Sequence, residues 1–457
     1  MKRVLAIARL TFWEGVRMRI VLVFLVLLVF IVLRLPFALR GDETLAGRLQ
    51  TFLSYSLGAL GIFMSLATVF LSCSTLTKDV QECSLHLVIT KPVSRFQILA
   101  GKWLGVNSLN LLIVLLSGLV IYGFAVFIKS RPEQFARDRI KIDDVVWTAR
   151  AAARPVKPDF REKAREYVDQ LVEDGKTFPH GEAAAVRQYA KEWTDTWKRI
   201  GPRENRRYEF ENLSLPSEKD TIYQVRFKAM SSVGVNDPLK IGWAILDPET
   251  NLPLATRETD ERSSARHQFL VRSGVVKDGR AAIVIYNPTS NRYKSIHLEG
   301  EDGLEILYKV GGFEMNLAKN LLLVLFRLAF LSAAGLFFST FVSFPVACFC
   351  VLTIFVLCIG MPWWQTVVGT DLQIPTPQID PYGSFGPLAR LVLKPLLTVV
   401  LPNFIEYDGT SRLIDGALIP ASLLWRGGAH TLIYGVVLLA LPGWLIFRSR
   451  EIAQTIV

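Results

Sequence analysis

Residues able to do bond chemistry are sparse in this chain, and their spacing argues against an active site. Gly101-Lys102 is the nearest approach to a phosphate-binding loop, but Trp103 follows it and the upstream glycine of G-x-x-x-x-G-K-[ST] is missing. No H-E-x-x-H pair or paired-cysteine spacing offers a zinc site. No G-x-S-x-G elbow presents a serine nucleophile. The five histidines are scattered. Cys73, Cys83, Cys348, Cys350 and Cys358 are odd in number and lie outside the long central polar stretch, which argues against a disulfide framework. Cys348 and Cys350 face different sides of a helix, and all five read as small packing residues. The sequence therefore leads us to expect no catalytic residue, no metal site and no cofactor. A process driven by ATP would need its nucleotide site on another polypeptide.

The elements that carry these residues are mostly apolar. Of 457 residues, 51% are hydrophobic and 20% charged, too apolar for an ordinary soluble chain. The net charge of +11 is not a nucleic-acid footprint, because no basic stripe is interleaved with aromatics. The cations instead flank hydrophobic runs: Lys2, Arg3, Arg9, Arg17 and Arg19; Lys78, Lys91, Arg95 and Lys102; Arg448 and Arg450. Such flanks mark the cytoplasmic side of membrane spans.

Six transmembrane helices are expected, near Ile20–Leu39, Phe52–Leu76, Leu104–Ile128, Leu317–Phe341, Pro345–Met361 and Ala429–Phe447. An amphipathic helix precedes them, with Val4, Leu5, Ala8, Phe12 and Val16 on one side, and suits the cytoplasmic interface. An uncleaved signal sequence is the other reading of this N-terminal region. Both termini then face the cytoplasm of a cell-membrane protein. The basic flanks put segment 77–103 inside and the central polar insertion outside. Three regions follow: 1–128, the insertion 129–314, and 315–457, the last containing an outer segment 362–428. Within that segment, Leu388 to Leu401 is too short and too interrupted to cross. It either re-enters the outer leaflet or packs at the outer mouth.

The insertion predicts an α+β domain. Residues 157–200 carry helical spacing, broken at Gly175 and Pro179. Residues 206–312 change to period two: Tyr223, Val225, Phe227 and Ala229 alternate with polar neighbours. Further strands are expected at Ile241–Leu246, His267–Arg272, Ala281–Tyr286, Tyr293–Leu298 and Leu304–Val310, which together suggest an antiparallel β-sandwich. Trp243, His267, Tyr286 and His297 either line a ligand site or belong to the core and strand faces.

The most informative stretch is Lys78 to Lys102. Pro92 stops a short apolar helix, and Ser94 is placed to cap a second helix that runs into the third span. A helix-break-helix projecting from the membrane suits docking of a partner; an ordinary loop on the headgroups is the plainer reading. Here the sequence resembles the permeases of the ABC-2 family, in the branch associated with maturation of multicopper enzymes and nitrous-oxide reductase. The resemblance rests on the N-terminal amphipathic helix, on Lys91-Pro92-Val93-Ser94-Arg95 with Gly101-Lys102, and on Ser339 to Ala347. Leu401-Pro402-Asn403-Phe404 and Phe447 to Glu451 add to it. It covers both membrane portions and not the insertion. The family usually has Gly-Thr where this chain has Cys83-Ser84.

The resemblance implies a permease subunit of an exporter, paired with a second permease subunit and driven by a cytoplasmic ABC ATPase dimer. The coupling elements would be Asp79 to Thr90 and the turn near Ser343. Asp79, Glu82, Pro92, Arg95 and Ser343 are the implied coupling residues. Glu82 and Arg95 either pair with the ATPase or contact headgroups and cap helices. Membrane lipid is a further expected partner. Arg327, inside the fourth span, either faces the transport pathway or marks where that span begins, the preceding segment lying along the outer interface. A membrane-anchored binding or sensor scaffold without transport is the alternative function.

Overall fold

The computed structural model describes residues 2–38, 44–82, 93–130, 142–179, 181–213, 222–233, 238–247, 249–263, 266–272, 275–298, 303–363 and 401–449. The chain divides into two compact units, one formed by Met1–Trp147 with Gly312–Val457 and the other by Thr148–Gly311.

The first unit is helical: α1 (Lys2–Val16), α2 (Arg19–Ala38), α3 (Leu45–Gln81), α4 (Arg95–Lys129), then α7 (Phe313–Ser339) and α8 (Phe344–Ile359). Two short helices, α9 (Thr410–Ile414) and α10 (Ala421–Gly428), precede a π-helical segment, Ala429–Val436, and α11 (Val437–Ser449). The helices α5 (Phe160–Glu173) and α6 (Glu182–Lys198) belong to the second unit. Among the described residues α3, α4 and α7 are long and apolar enough to cross a membrane. The pair α1 and α2, bent by 63°, makes a fourth if taken together. The apolar α8 has 16 residues, about 24 Å of rise, which is short of the hydrocarbon core of about 30 Å. The helices α3 and α4, with 37 and 35 residues, are each more than about 50 Å long and so outreach that core. Residues 83–92, with Cys83 and Pro92, and 364–400, with the interrupted run from Leu388, lie outside the described residues.

The bundle core comes mainly from α3, α4 and α7, with Phe52, Leu60, Val106, Ile121, Phe313 and Leu328 among its buried residues. Side-chain hydrogen bonds join the same helices. Thr68 Oγ1 donates to Asn110 Oδ1 (3.1 Å), Trp103 Nε1 to the Ala329 carbonyl (3.0 Å) and Asn107 Nδ2 to Ser332 Oγ (2.9 Å). Small residues allow close approach: a Cβ on Gly335 of α7 would lie 2.7 Å from Ser72 Cβ of α3. Close packing and polar links hold helices together where lipid removes the hydrophobic drive between them.

The second unit is a β-sandwich flanked by α5 and α6. One sheet has the order β1 (Thr148–Ala153), β10 (Leu304–Gly312), β4 (Ile222–Ser231), β9 (Ile296–Leu298), β2 (Arg199–Ile200), with β7 (Arg266–Arg272) also on β4. The other runs β3 (Asn205–Phe210), β8 (Ala281–Tyr286), β5 (Pro238–Leu246), β6 (Pro253–Arg262). The long β4 sits between β7 on one edge and β10 followed by β9 on the other, all antiparallel. The period-two reading of β4 holds: Tyr223, Val225, Phe227 and Ala229 are buried against Tyr208, Phe210, Ile241 and Ile283 of the second sheet. Asp159 caps α5 by accepting from the Arg161 and Glu162 amides. Gly175 and Gly181, both at φ +83°, frame the break before α6.

Charge is also buried in this unit. Glu305, 3% exposed, accepts from Arg226 at 2.6 Å and lies 3.6 Å from Arg154. Breaking such a pair from one side leaves an uncompensated charge. Glu305→Ala is expected to destabilise the sandwich by about 3 kcal/mol, read as a lowered thermal midpoint of the full chain in mild detergent. Arg226→Met together with Glu305→Leu should lose much less.

Candidate functional site

The implied coupling residues gather at one end of the helical unit. Ser94 caps α4 as expected, and Gln97 completes a capping box: Ser94 Oγ accepts from the Gln97 amide (3.3 Å) and the Ser94 amide donates to Gln97 Oε1 (3.1 Å). Arg95 follows at once. Its guanidinium donates to the carbonyls of Phe447 and of Arg448, the latter at 2.7 Å, and lies 5.7 Å from the Phe447 ring. These carbonyls end α11, so Arg95 serves as a cationic cap on the negative end of that helix. The helix-capping alternative for Arg95 is therefore the one seen within this chain.

Two turns further along α4, Lys102 is 4% exposed; its ammonium pairs with Asp79 of α3 at 2.5 Å and donates to the Thr75 carbonyl at 2.9 Å. Asp79 thus faces inward to α4. Glu82 makes an exposed 3.7 Å pair with Lys78 one turn back, an interaction of small energy. The Ser343 carbonyl accepts from the Ala347 amide (2.9 Å) at the start of α8, while its side chain makes no capping bond. Nearby, Ser339 Oγ donates to the Cys73 carbonyl of α3 (3.0 Å), which brings the α7–α8 turn beside the end of α3. The ends of α3, α7 and α11 and the starts of α4 and α8 therefore share one end of the bundle.

The N-terminal helix joins this end by protein packing. A Cβ on Gly101 would lie 2.7 Å from Ile7 Cβ, and one on Gly105 would lie 2.6 Å from the Ala8 carbonyl oxygen. Gly101 and Gly105 form the small face of a G-x-x-x-G pair, on which Ala8 and Thr11 of α1 are buried, while Gly15 of α1 is buried against Leu109 and Leu71. Of the expected apolar face, Ala8 is buried, Val4, Phe12 and Val16 are half-buried, Phe12 and Val16 against the bundle core, and Leu5 is exposed. The Gly101–Gly105 spacing was visible in the sequence, as was Lys102, but their partners were not. Beside them, an apolar cleft of about 400 Å³ opens between α4, α7 and α11, lined by Phe96, Leu99, Trp103, Leu336 and Leu441.

Arg327 lies in α7, away from the coupling residues. The helix is continuous from Phe313 to Ser339, so no break sets the residues before Arg327 apart from the rest of it. Polar residues before Arg327 on this helix make lateral hydrogen bonds. Asn316 Nδ2 donates to the Ala417 carbonyl (2.8 Å), Lys319 Nζ to the Ile419 carbonyl (3.1 Å) and Asn320 Nδ2 to Thr410 Oγ1 (3.3 Å). The guanidinium of Arg327 sits 5.5 Å from the Phe404 ring and within the field of Asp408. The cavity it borders with Tyr407 and Thr431 is about 10 Å³, room for about one water.

In the β-sandwich, the four aromatic and histidine candidates are not brought to one site. Trp243 stacks on Phe269 at 3.7 Å, Phe269 neighbours Phe227, and His267 lies against Phe227 at 5.6 Å. Tyr286 covers Gly242, where a Cβ would lie 2.1 Å from its ring, and its hydroxyl is 3.4 Å from Glu258. Burial raises the Tyr286 pKa. His297 stands apart, on β9 opposite Met230 and Arg199.

An Asp247–Lys277 pair closes the β5–β6 turn side at 2.8 Å. The Lys277 ammonium holds the Asp247 carboxyl below the usual carboxylate range, and Asp247 in turn raises Lys277. A depressed carboxyl adds stability above its unfolded value of about 3.9 and loses it as pH falls through the folded value. A raised lysine adds stability below about 10.4 and loses it as pH rises through its own. The penalty of Asp247→Asn on thermal midpoint is thus expected to be level from about pH 5 to 9 and to vanish in acid.

Among the described residues no group of three His, Cys, Asp or Glu is placed to hold a metal ion. The fold defines a chain with helices of membrane-crossing length and a separate β-rich unit. No family model matches it, and no curated protein matches it.

Proposed function

We propose that this chain is the membrane-spanning permease subunit of an ABC-2 type exporter, powered by ATPase subunits encoded separately. Six spans follow if α2, α8 and the segment Ala429–Ser449 cross together with α3, α4 and α7. The N- and C-termini then lie in the cytoplasm and the β-sandwich outside. Localisation to the cell membrane, pairing with a second permease subunit and contact with lipid at the apolar cleft belong to the same reading.

One observation carries it: the implied coupling residues Asp79, Arg95 and Ser343 fall at one end of the bundle, where a buried ion pair ties α3 to α4, a buried hydrogen bond ties α3 to α7, and a more exposed one ties α4 to α11. A partner that moves segment 83–92 would pull on α3 and α4 directly. Through Arg95 it would pull on α11 as well. A scaffold with no moving partner has no use for this linkage. The absence of a phosphate-binding loop in the sequence fits a division of labour between chains.

The test is Pro92→Ala with Arg95→Glu, assayed for ATPase binding and turnover. Loss of either supports the docking assignment; unchanged binding with unchanged turnover rejects it. The topology makes its own prediction. In intact cells, a membrane-impermeant thiol reagent should leave Cys83 unlabelled, and labelling from outside would reverse the orientation.

A further inference from the structure

The apolar cleft of about 400 Å³ runs between α4, α7 and α11 at the coupling end of the helical unit. Phe96, Leu99 and Trp103 of α4 form one side, Leu336 and Phe337 of α7 a second, and Leu441 of α11 stands on the third. Among the described residues that line it, the polar side chains are Trp103 and Thr340. Both donate within the protein: Trp103 Nε1 to the Ala329 carbonyl at 3.0 Å and Thr340 Oγ1 to the Phe337 carbonyl at 2.7 Å. The wall these residues make presents carbon.

The cleft is continuous with apolar surface that faces outward. Leu104 lines it, and Leu111, Leu115 and Leu119 continue along the same face of α4, all exposed. On α11, Val437 and Leu441 line it and Leu445 follows one turn on, all exposed. Exposed apolar strips of this kind mark a membrane or partner surface, and α4 is one of the helices long and apolar enough to cross a membrane. The dimensions fit one leaflet. The cleft follows α4 from Phe96 to Leu104 for about 12 Å, and α7 from Ala333 to Thr340 for about 10 Å. Half of the hydrocarbon core is about 15 Å. Phe96, in the first turn of α4, meets Trp444 edge to face at 6.5 Å, and tryptophan is enriched at headgroup level.

We propose that this cleft is an acyl-chain slot, which holds one tail of a phospholipid from the leaflet at the coupling end. An empty slot would forfeit dispersion contacts along three helices, and water would gain no hydrogen bond from carbon walls. The bilayer that adjoins the cleft supplies the tail without any further partner. Two of the walls, α4 and α11, are the helices that Arg95 ties together, so a seated tail braces the same joint. The inference deepens the lipid contact of the permease reading, and it rests on this chain's crossing a membrane rather than on the ATPase.

The test is photolabelling of the full chain in phosphatidylcholine vesicles that contain a phosphatidylcholine with a diazirine on one acyl chain, the adducts being located by peptide mass spectrometry. Adducts are expected at Leu99 and Leu336 in the cleft, besides those at Leu115 and Leu119 on the open face. Leu336 is 4% exposed, so passing contact with fluid lipid does not reach it. Ala440→Phe and, from the α4 side, Ala100→Phe each fill the cleft. In either variant the Leu99 and Leu336 adducts should be lost and the Leu119 adducts kept, with an unchanged melting midpoint as the sign of intact folding. Labelling of Leu115 and Leu119 alone in the parent protein would overturn the proposal, and it is the result expected if a second subunit covers the cleft. Cleft adducts that persist in both folded variants would overturn it as well. Absence of all adducts, those at Leu119 included, would overturn both the slot and the membrane crossing on which it rests.

Discussion

Lys102→Met is expected to destabilise the helical unit by about 3 kcal/mol and to remove ATPase stimulation by the permease. Methionine matches the lysine stem but brings neither charge nor donor. Asp79 then keeps a carboxylate that is only 21% exposed with its 2.5 Å partner gone, and the Thr75 carbonyl loses a 2.9 Å donor. Because Asp79 retains some access to water, the loss falls at the lower end of the range for broken buried pairs. Lys102→Met combined with Asp79→Leu removes both charges and should recover most of the stability, since the cost lies in leaving the Asp79 carboxylate without the Lys102 ammonium. It should not recover the coupling, because the Lys102–Asp79 tie at this end of α3 and α4 is still absent. The thermal midpoint in mild detergent reads the first effect, and turnover of the reconstituted complex reads the second.

Gly105→Leu is the second large effect, expected to undock α1 from α4. A Cβ at this position would meet the Ala8 carbonyl oxygen at 2.6 Å and Thr11 Cβ at the same distance. The obstacle is backbone, so no rotamer change relieves it. Overpacking of this sort costs about 1–3 kcal/mol in a core that can adjust; here the adjustment available is separation of the two helices. Trypsin should then cut at Arg9 and Arg17 much faster than in the parent protein. Gly58 provides the control. A Cβ there has nothing within 4 Å, so Gly58→Ala should leave proteolysis unchanged and raise helix stability slightly.

Local signals in the sequence led to the right elements, and long-range partners were hidden. The alternation in β4 and the Ser94 cap on α4 depend on residues a few places apart, and both form as read. The helices α5 and α6 appear where periodic spacing put them. Strand β6 was not anticipated, because its sequence, Pro253 to Arg262, carries Arg257, Glu258 and Asp260 and lacks apolar alternation. As an edge strand paired only with β5 it has no face to bury, and charge there discourages pairing with other chains. The short β2 is too brief to show any period.

The site shows the same limit. Arg95 was recognised as important, but its carbonyl partners lie more than three hundred residues away in sequence. Lys319 and Asn320 sit poorly in an apolar helix on sequence alone, and residues 410–419 supply hydrogen bonds to both. In each case the residue type announced an unmet polar need, and only the fold identified what meets it.

The central claim is that this chain works as the membrane half of a machine powered elsewhere. Its most direct test is the ATP hydrolysis that accompanies the chain when it is purified from its native host in mild detergent. The account predicts a stoichiometric ATPase subunit whose turnover falls when Arg95→Glu breaks the cap on α11. Purification of the intact chain with no ATP-hydrolysing subunit attached would contradict it.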